Sequence, residues 1–173
     1  MKEIFERRSI RKFTEEPVTD ADLELILRAA MRAPSACNEQ PWEFIIIRDR
    51  ETMKKIQKFQ RFSQPLNTAN CAIVICGNKK LQKFAEYDFW IQDCSAAAQN
   101  MLLEIQHIGL GAVWMGLHPI PLWTSKCQEV LELPEHVIPL GIFAMGHPDQ
   151  QPEPMDTYKP ERIHYEKWSG DHE

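Results

Sequence analysis

Long hydrophobic runs are missing from this sequence. The longest, such as Cys71 to Cys76, fall far short of the ~20 apolar residues that a bilayer span requires. Met1 to Lys12 is charged throughout, so no apolar signal core is expected there. Positive charge is also short: 20 Lys and Arg stand against 25 Asp and Glu, a formal charge of -5. That balance argues against a nucleic-acid partner, whose binders carry a basic face. Cysteines number five and form no C-x-x-C pair, and Cys71 and Cys76 sit in an apolar segment as small hydrophobes. A reducing, cytoplasmic setting is expected. The six histidines show neither H-x-x-x-H nor Cys/His ligand spacing, so no metal site is expected.

Several catalytic signatures are absent as well. There is no G-x-x-x-x-G-K-[ST] phosphate loop and no G-x-S-x-G elbow. Gly109-Leu-Gly111-Ala-Val-Trp114 begins like a dinucleotide fingerprint but has Trp114 at the third glycine, and a helix precedes it. Nucleophilic catalysis by the chain itself has no support.

What remains is a 173-residue chain, 43% hydrophobic and 26% charged, which suits one globular domain. Lys2 to Arg8 reads as a short amphipathic helix with Ile4 and Phe5 inward. Thr19 and Asp22 form a capping-box-like start for a second helix. Its Leu23, Ile26, Leu27 and Ala30 make a buried stripe that ends at Pro34. Glu43 to Arg48, Cys71 to Gly77, Gly111 to Met115 and Ile138 to Met145 read as strands. Glu51 to Phe59, Asp88 to Ile108 and the segment opened by Pro119 and Pro121 read as helices. The alternation predicts an α/β or α+β layered domain over residues 1–148. Residues 149–173 are Pro-rich and acidic yet carry Tyr158, Ile163, Tyr165 and Trp168, so they are expected to form an arm that packs on a second subunit.

Four separated segments carry the chemistry. Residues 2–12 hold Lys2, Arg7, Arg8, Arg11 and Lys12 against Glu3 and Glu6. Such a cluster is either a solvated helix end or a seat for a small anion, because guanidinium forks and the Ser9 hydroxyl suit a phosphate. Ala33-Pro34-Ser35-Ala36-Cys37-Asn38-Glu39-Gln40-Pro41-Trp42 offers small and amide groups for the polar edge of a planar heterocycle. Gly109 to Gly116 has glycines that let backbone lie against a flat ligand. Lys159-Pro160 with Arg162 adds cations.

In their order R-R-S-x-R, P-S-x-x-N-x-Q-P-W, G-L-G-x-x-W-x-G and a strand ending in G-x-P, these motifs resemble the nitroreductase family across nearly the whole chain. Asp93-Cys94-Ser95-Ala96-Ala97-Ala98-Gln99-Asn100 also resembles the start of that family's long central helix. The resemblance implies an α+β fold, a three-layer α/β/α sandwich with a mixed central sheet, in a domain-exchanged homodimer. It further implies non-covalent FMN at the subunit interface and NAD(P)H as electron donor. Arg7, Arg8, Ser9 and Arg11 would then bind the ribityl phosphate and flavin edge, helped by Lys159 and Arg162. Pro34, Ser35, Ala36 and Asn38 would reach the flavin, Ser35 across the interface. Val113, Trp114, Met115 and Gly116 would lie behind the isoalloxazine, with the N–H of Met115 or Gly116 at N5. Residues 60–90 commonly build the lid, so Trp90 is placed in the substrate pocket. The implied function is passage of electrons from NAD(P)H through FMN to a small organic acceptor, a nitroaromatic or a quinone, by a ping-pong mechanism. A flavin-binding protein without turnover and a specialised flavin enzyme of the same fold are the alternatives.

Overall fold

The computed structural model describes residues 2–84 and 86–170; the last three positions of the expected 149–173 arm lie outside the described residues. Among the described residues there are five α-helices: α1 (Lys2–Glu6), α2 (Asp20–Ala30), α3 (Arg50–Gln57), α4 (Phe89–His107) and α5 (Pro121–Leu131). Four strands are β1 (Trp42–Ile47), β2 (Cys71–Asn78), β3 (Gly111–Gly116) and β4 (Val137–Gly146), in sheet order β1-β2-β4-β3.

Every strand pairing is antiparallel. The mixed character expected of the sheet is confined to one parallel bridge, Ser9 to Ala112, on the outer edge of β3. The N-terminal segment forms no strand of its own; besides that contact it makes one antiparallel bridge, Phe13 to Pro148.

β2 and β4 are apolar on both faces because helices cover both. Ile73, Ile75, Phe143 and Met145 face α2 and α4, whose Ile26, Ala30, Ala97, Ala98 and Met101 are buried against them. Ala72, Val74, Ile142 and Ala144 face the opposite layer with Met53 and Ile56 of α3 and Cys127 of α5. Helix, sheet and helix thus form three layers.

Thr19 caps α2: its hydroxyl accepts from Asp22 N–H at 3.1 Å, while Asp22 accepts from the Thr19 N–H at 2.9 Å. The Thr19 hydroxyl and backbone bonds hold the Asp22 carboxyl below its ordinary value. A lowered carboxyl stabilises the fold above its unfolded pKa and loses that contribution as pH falls through the folded one. Thr19→Ala is expected to cost about 1 kcal/mol at neutral pH. In urea titrations the gap from wild type should narrow as pH falls below the ordinary aspartate value.

Two expectations need correction. Ile4 and Phe5 of α1 are exposed, Phe5 at 79%, because this five-residue helix lies on the outside of α4 and, among the described residues, borders shallow concavities shared with the C-terminal arm. Trp90 is 1% exposed. It sits in the first turn of α4 over Gly77 of β2, its ring against His118 at 5.0 Å and its Nε1 donating to Asp88 at 3.1 Å. The first turn of the long central helix is buried on the sheet, so this indole packs in the core and lines neither of the two concavities described below.

Candidate functional site

The segment after α1 is fastened along the free edge of β3. Ile10 N–H donates to Ala112 O at 2.9 Å, Thr14 N–H to His147 O at 2.9 Å, and Asp149 N–H to Lys12 O at 3.0 Å. Ile10 and Phe13 are buried, so Arg11 and Lys12 between them stand exposed. Gly111 and Gly146 make this possible: a Cβ at Gly111 would lie 2.6 Å from Ile10, and one at Gly146 3.0 Å from Phe13.

Two concavities meet at Arg11 and Gln150. One, of about 400 Å³, is lined by Arg7, Arg8, Ser9 and Arg11 with Met155 and Thr157 of the C-terminal arm. Among the described residues, no carboxylate lies within ion-pair distance of any of these three arginines. The side-chain bond of Arg11 goes to the Ser9 carbonyl at 3.4 Å. Three guanidinium groups without an ion-pair partner among the described residues are the kind of arrangement that suits an anion.

The second concavity, about 960 Å³, runs along Val113, Trp114, Met115 and Gly116 and is walled by Gln60, Phe62, Asn67, Thr68, Ile120 and Trp123. That is at the upper end of the roughly 300–1,000 Å³ typical of cofactor and ligand sites. β3 is an edge strand, so alternate residues point backbone groups away from β4. Ala112 O accepts from Ile10 and Gly116 O from Gln60, so Ala112, Trp114 and Gly116 are the outward set. Of the two N–H groups expected to face a flavin, the Gly116 donor is therefore turned to the cavity side and Met115 toward β4. A Cβ at Gly116 would meet nothing nearer than His118 O at 4.0 Å, so the strand ends onto open space. Trp114 is 37% exposed and packs against Phe143 at 5.1 Å, offering one face to the cavity rim.

Gln60, 2% exposed, was not singled out from sequence. Its Nε2 donates to Gly116 O at 3.0 Å and its Oε1 accepts from Phe62 N–H, tying the cavity floor to its wall. The guanidinium of Arg50 holds the opposite wall through the carbonyls of Leu66, Asn67 and Ala69. Lys12 of the basic cluster lines the same cavity, and Asn67 and Gln150 are further lining residues without a motif signal.

The remaining expected residues lie elsewhere. Pro34, Ser35, Ala36 and Asn38 belong to the α2–β1 loop and line neither concavity. Ala36 N–H donates to Asp93 Oδ1 of α4 at 2.9 Å, and Ser35 Oγ accepts from Gln40 N–H at 2.9 Å. Burial pushes the Asp93 carboxyl up; the Ala36 N–H opposes this and the Glu39 charge adds to it. Lys159 and Arg162 are exposed on the arm, beyond the part that lines the basic concavity. One protomer thus brings together Arg7, Arg8, Ser9, Arg11 and residues 113–116, and leaves the loop and the two arm cations apart.

The Nitroreductase family model matches residues 4–64 and 60–147. A chain of Archaeoglobus fulgidus, provisionally named NADH dehydrogenase/NAD(P)H nitroreductase, is 44% identical over 97% of this chain and 98% of its own. The solved FMN-dependent nitroreductase of Clostridium difficile R20291 superposes with a TM-score of 0.88 at 27% identity, covering 97% of this chain and all of that one. A Desulfovibrio desulfuricans structure, provisionally a nitroreductase and containing FMN, matches at a TM-score of 0.81 and 29% identity over 97% and 96% of the two chains.

Proposed function

Because the chain belongs to the nitroreductase family, we propose that it is an FMN-dependent oxidoreductase passing electrons from NAD(P)H to an organic acceptor such as a nitroaromatic or a quinone. The observation that carries this reading is the junction at Arg11, where a concavity lined by three guanidiniums that lack an ion-pair partner among the described residues meets the cavity along β3. A phosphate and a flat ring joined by a flexible chain would fit that shape and charge.

In this reading Arg7, Arg8 and Arg11, with the Ser9 hydroxyl, hold the phosphate. Residues 113–116 lie behind the ring, and the outward Gly116 N–H offers a donor to its polar edge. Bound FMN supplies the hydride chemistry, so no side chain need serve as catalytic acid or base. Fixed donors at the ring edge favour the form that carries more negative charge. NAD(P)H and the acceptor occupy the large concavity in turn, against Phe62 and Trp123, whose rings meet edge to face at 6.1 Å. Such alternation is ping-pong.

The site also needs a second copy of the chain. Pro34, Ser35, Ala36 and Asn38 of one protomer would approach the flavin seated on the other. The arm would cross onto the neighbour, covering Tyr158, Tyr165 and Trp168, which are exposed in the protomer. Lys159 and Arg162 would follow toward the phosphate. Steady-state oxidation of NADH and NADPH by FMN-loaded protein, with menadione varied, tests the proposal. Parallel double-reciprocal lines are expected. Tight FMN binding without NAD(P)H oxidation would instead leave a flavin carrier.

A further inference from the structure

The α2–β1 loop concentrates the backbone strain of this chain. Cys37, Asn38 and Gln40 all take positive φ, at 50°, 56° and 49°. Asn tolerates that region; Cys and Gln enter it rarely and at a cost, so surrounding contacts must hold the loop in place. Within the loop, Ser35 Oγ accepts from Gln40 N–H and Asn38 Oδ1 from Gln40 Nε2 at 3.0 Å. Among the described residues, two hydrogen bonds tie residues 35–40 to the rest of the chain. Glu39 Oε1 accepts from Lys83 N–H at 2.9 Å on the surface, and Asp93 Oδ1 accepts from Ala36 N–H at 2.9 Å within the protein.

Asp93 is the anomalous member. It is 5% exposed, and its second oxygen, Oδ2, is buried without a hydrogen-bond partner among the described residues. A buried carboxylate with one of its oxygens unused contributes little to stability and is a burden where no cation pairs with it. Its one hydrogen bond among the described residues goes to the strained loop.

We infer that Asp93 is a positioning residue: through the Ala36 N–H it fixes the 35–40 loop in the arrangement that presents Ser35 and Asn38 to a flavin on the partner subunit. The inference rests on the flavin reading above and adds a role for a residue that touches neither cofactor nor substrate. Ala36 opens a short 3-10 turn, Ala36–Asn38, for which Ser35 provides no side-chain cap because its hydroxyl serves Gln40. Asp93 supplies the missing acceptor from α4, a long helix anchored on the sheet.

The test compares wild type, Asp93→Ala, Asp93→Asn and Ala36→Pro. Asparagine keeps an acceptor oxygen. Proline deletes the N–H itself at a position that follows extended backbone, Ser35 φ -141° and ψ 156°, which suits a residue before proline. Hydrogen exchange across residues 34–40 of the FMN-free protein, FMN affinity by fluorescence quenching, and melting temperature are read in parallel. Asp93→Ala and Ala36→Pro are expected to speed loop exchange and raise the Kd for FMN by about tenfold each, the value of one hydrogen bond to a charged group. Asp93→Asn should stay within about threefold of wild type, and the FMN-free melting temperatures of all four should agree within a few degrees. Unchanged loop exchange in both Asp93→Ala and Ala36→Pro overturns the inference, as does faster exchange with unaltered FMN affinity. A large loss of melting temperature shared by Asp93→Ala and Asp93→Asn marks an ordinary core residue and overturns it too. Failure of wild type to bind FMN refutes the flavin reading instead, while the exchange data still judge Asp93.

Discussion

Replacing Arg7 and Arg11 together by alanine is expected to raise the Kd for FMN by about a hundredfold or more. A hydrogen bond to a charged group contributes roughly 1.5–3 kcal/mol, so two lost guanidinium contacts supply at least that factor. Arg7 lines the basic concavity alone and Arg11 lines both, so the pair samples both halves of the site. Neither is buried, and among the described residues neither has an ion-pair partner, so folding stability should change by under about 1 kcal/mol. Arg7→Lys keeps the charge but loses the planar fork and should fall between wild type and alanine. Wild-type affinity should also weaken with added salt, and the double variant should show less of that dependence. Fluorescence titration of FMN into stripped protein measures all of this. Binding within threefold of wild type would remove the arginines from the site.

The second large effect is on stability. Gly77→Ala would place a Cβ 2.2 Å from Cε3 and 2.6 Å from Cδ2 of Trp90. That indole is held by Asp88 at its nitrogen and by His118 at its face, so it cannot move aside cheaply. The expected cost is about 3 kcal/mol, the upper end for overpacking. For a chain of this size that lowers Tm by roughly 6–12 °C. Trp90→Ala alone should cost about 3–5 kcal/mol by leaving a cavity. In that background Gly77→Ala should cost under about 1 kcal/mol, since the two residues share one space. Additive losses would contradict the packing described here. The same cycle separates roles for Trp90: a core indole changes Tm and leaves the order of preferred acceptors untouched.

Local chemistry made much of the fold legible. Thr19 and Asp22 announced the start of α2, and the apolar β-branched runs located β1 and β2 within a residue of the observed bounds, whereas α2 ends at Ala30, four residues before the Pro34 expected to end it. Periodicity failed where packing partners were not local. Ile4 and Phe5 read as an inward pair, yet in a five-residue helix on the outside of α4 both are exposed. Trp90 carries the same letters whether it caps a pocket or fills a core, and only the absence of a side chain at Gly77 distinguishes the two.

The site was legible to the extent that it lies in contiguous motifs. The run from Arg7 to Arg11 and the run from Val113 to Gly116 meet because Ile10 and Phe13 anchor the first beside the second. Gln60 left no trace, since its partner Gly116 is 56 residues away and a glutamine after a helix has no motif value. Asp93 was noticed only as part of a helix start. Its contact with Ala36 spans 57 residues, a distance that spacing rules do not cover.

Subunit complementation probes the proposed sharing of the site between two chains most directly. One protein carries Arg7→Ala and Arg11→Ala; a second carries Ser35→Ala and Asn38→Ala; each alone should bind FMN poorly. Unfolded together in equal amounts and refolded, half of the dimers pair unlike chains, and each such dimer holds one site with all its wild-type groups. High-affinity FMN capacity should therefore return to about a quarter of the wild-type value. No recovery in a mixture shown to contain mixed dimers would contradict a flavin held between the arginines of one chain and the loop of the other.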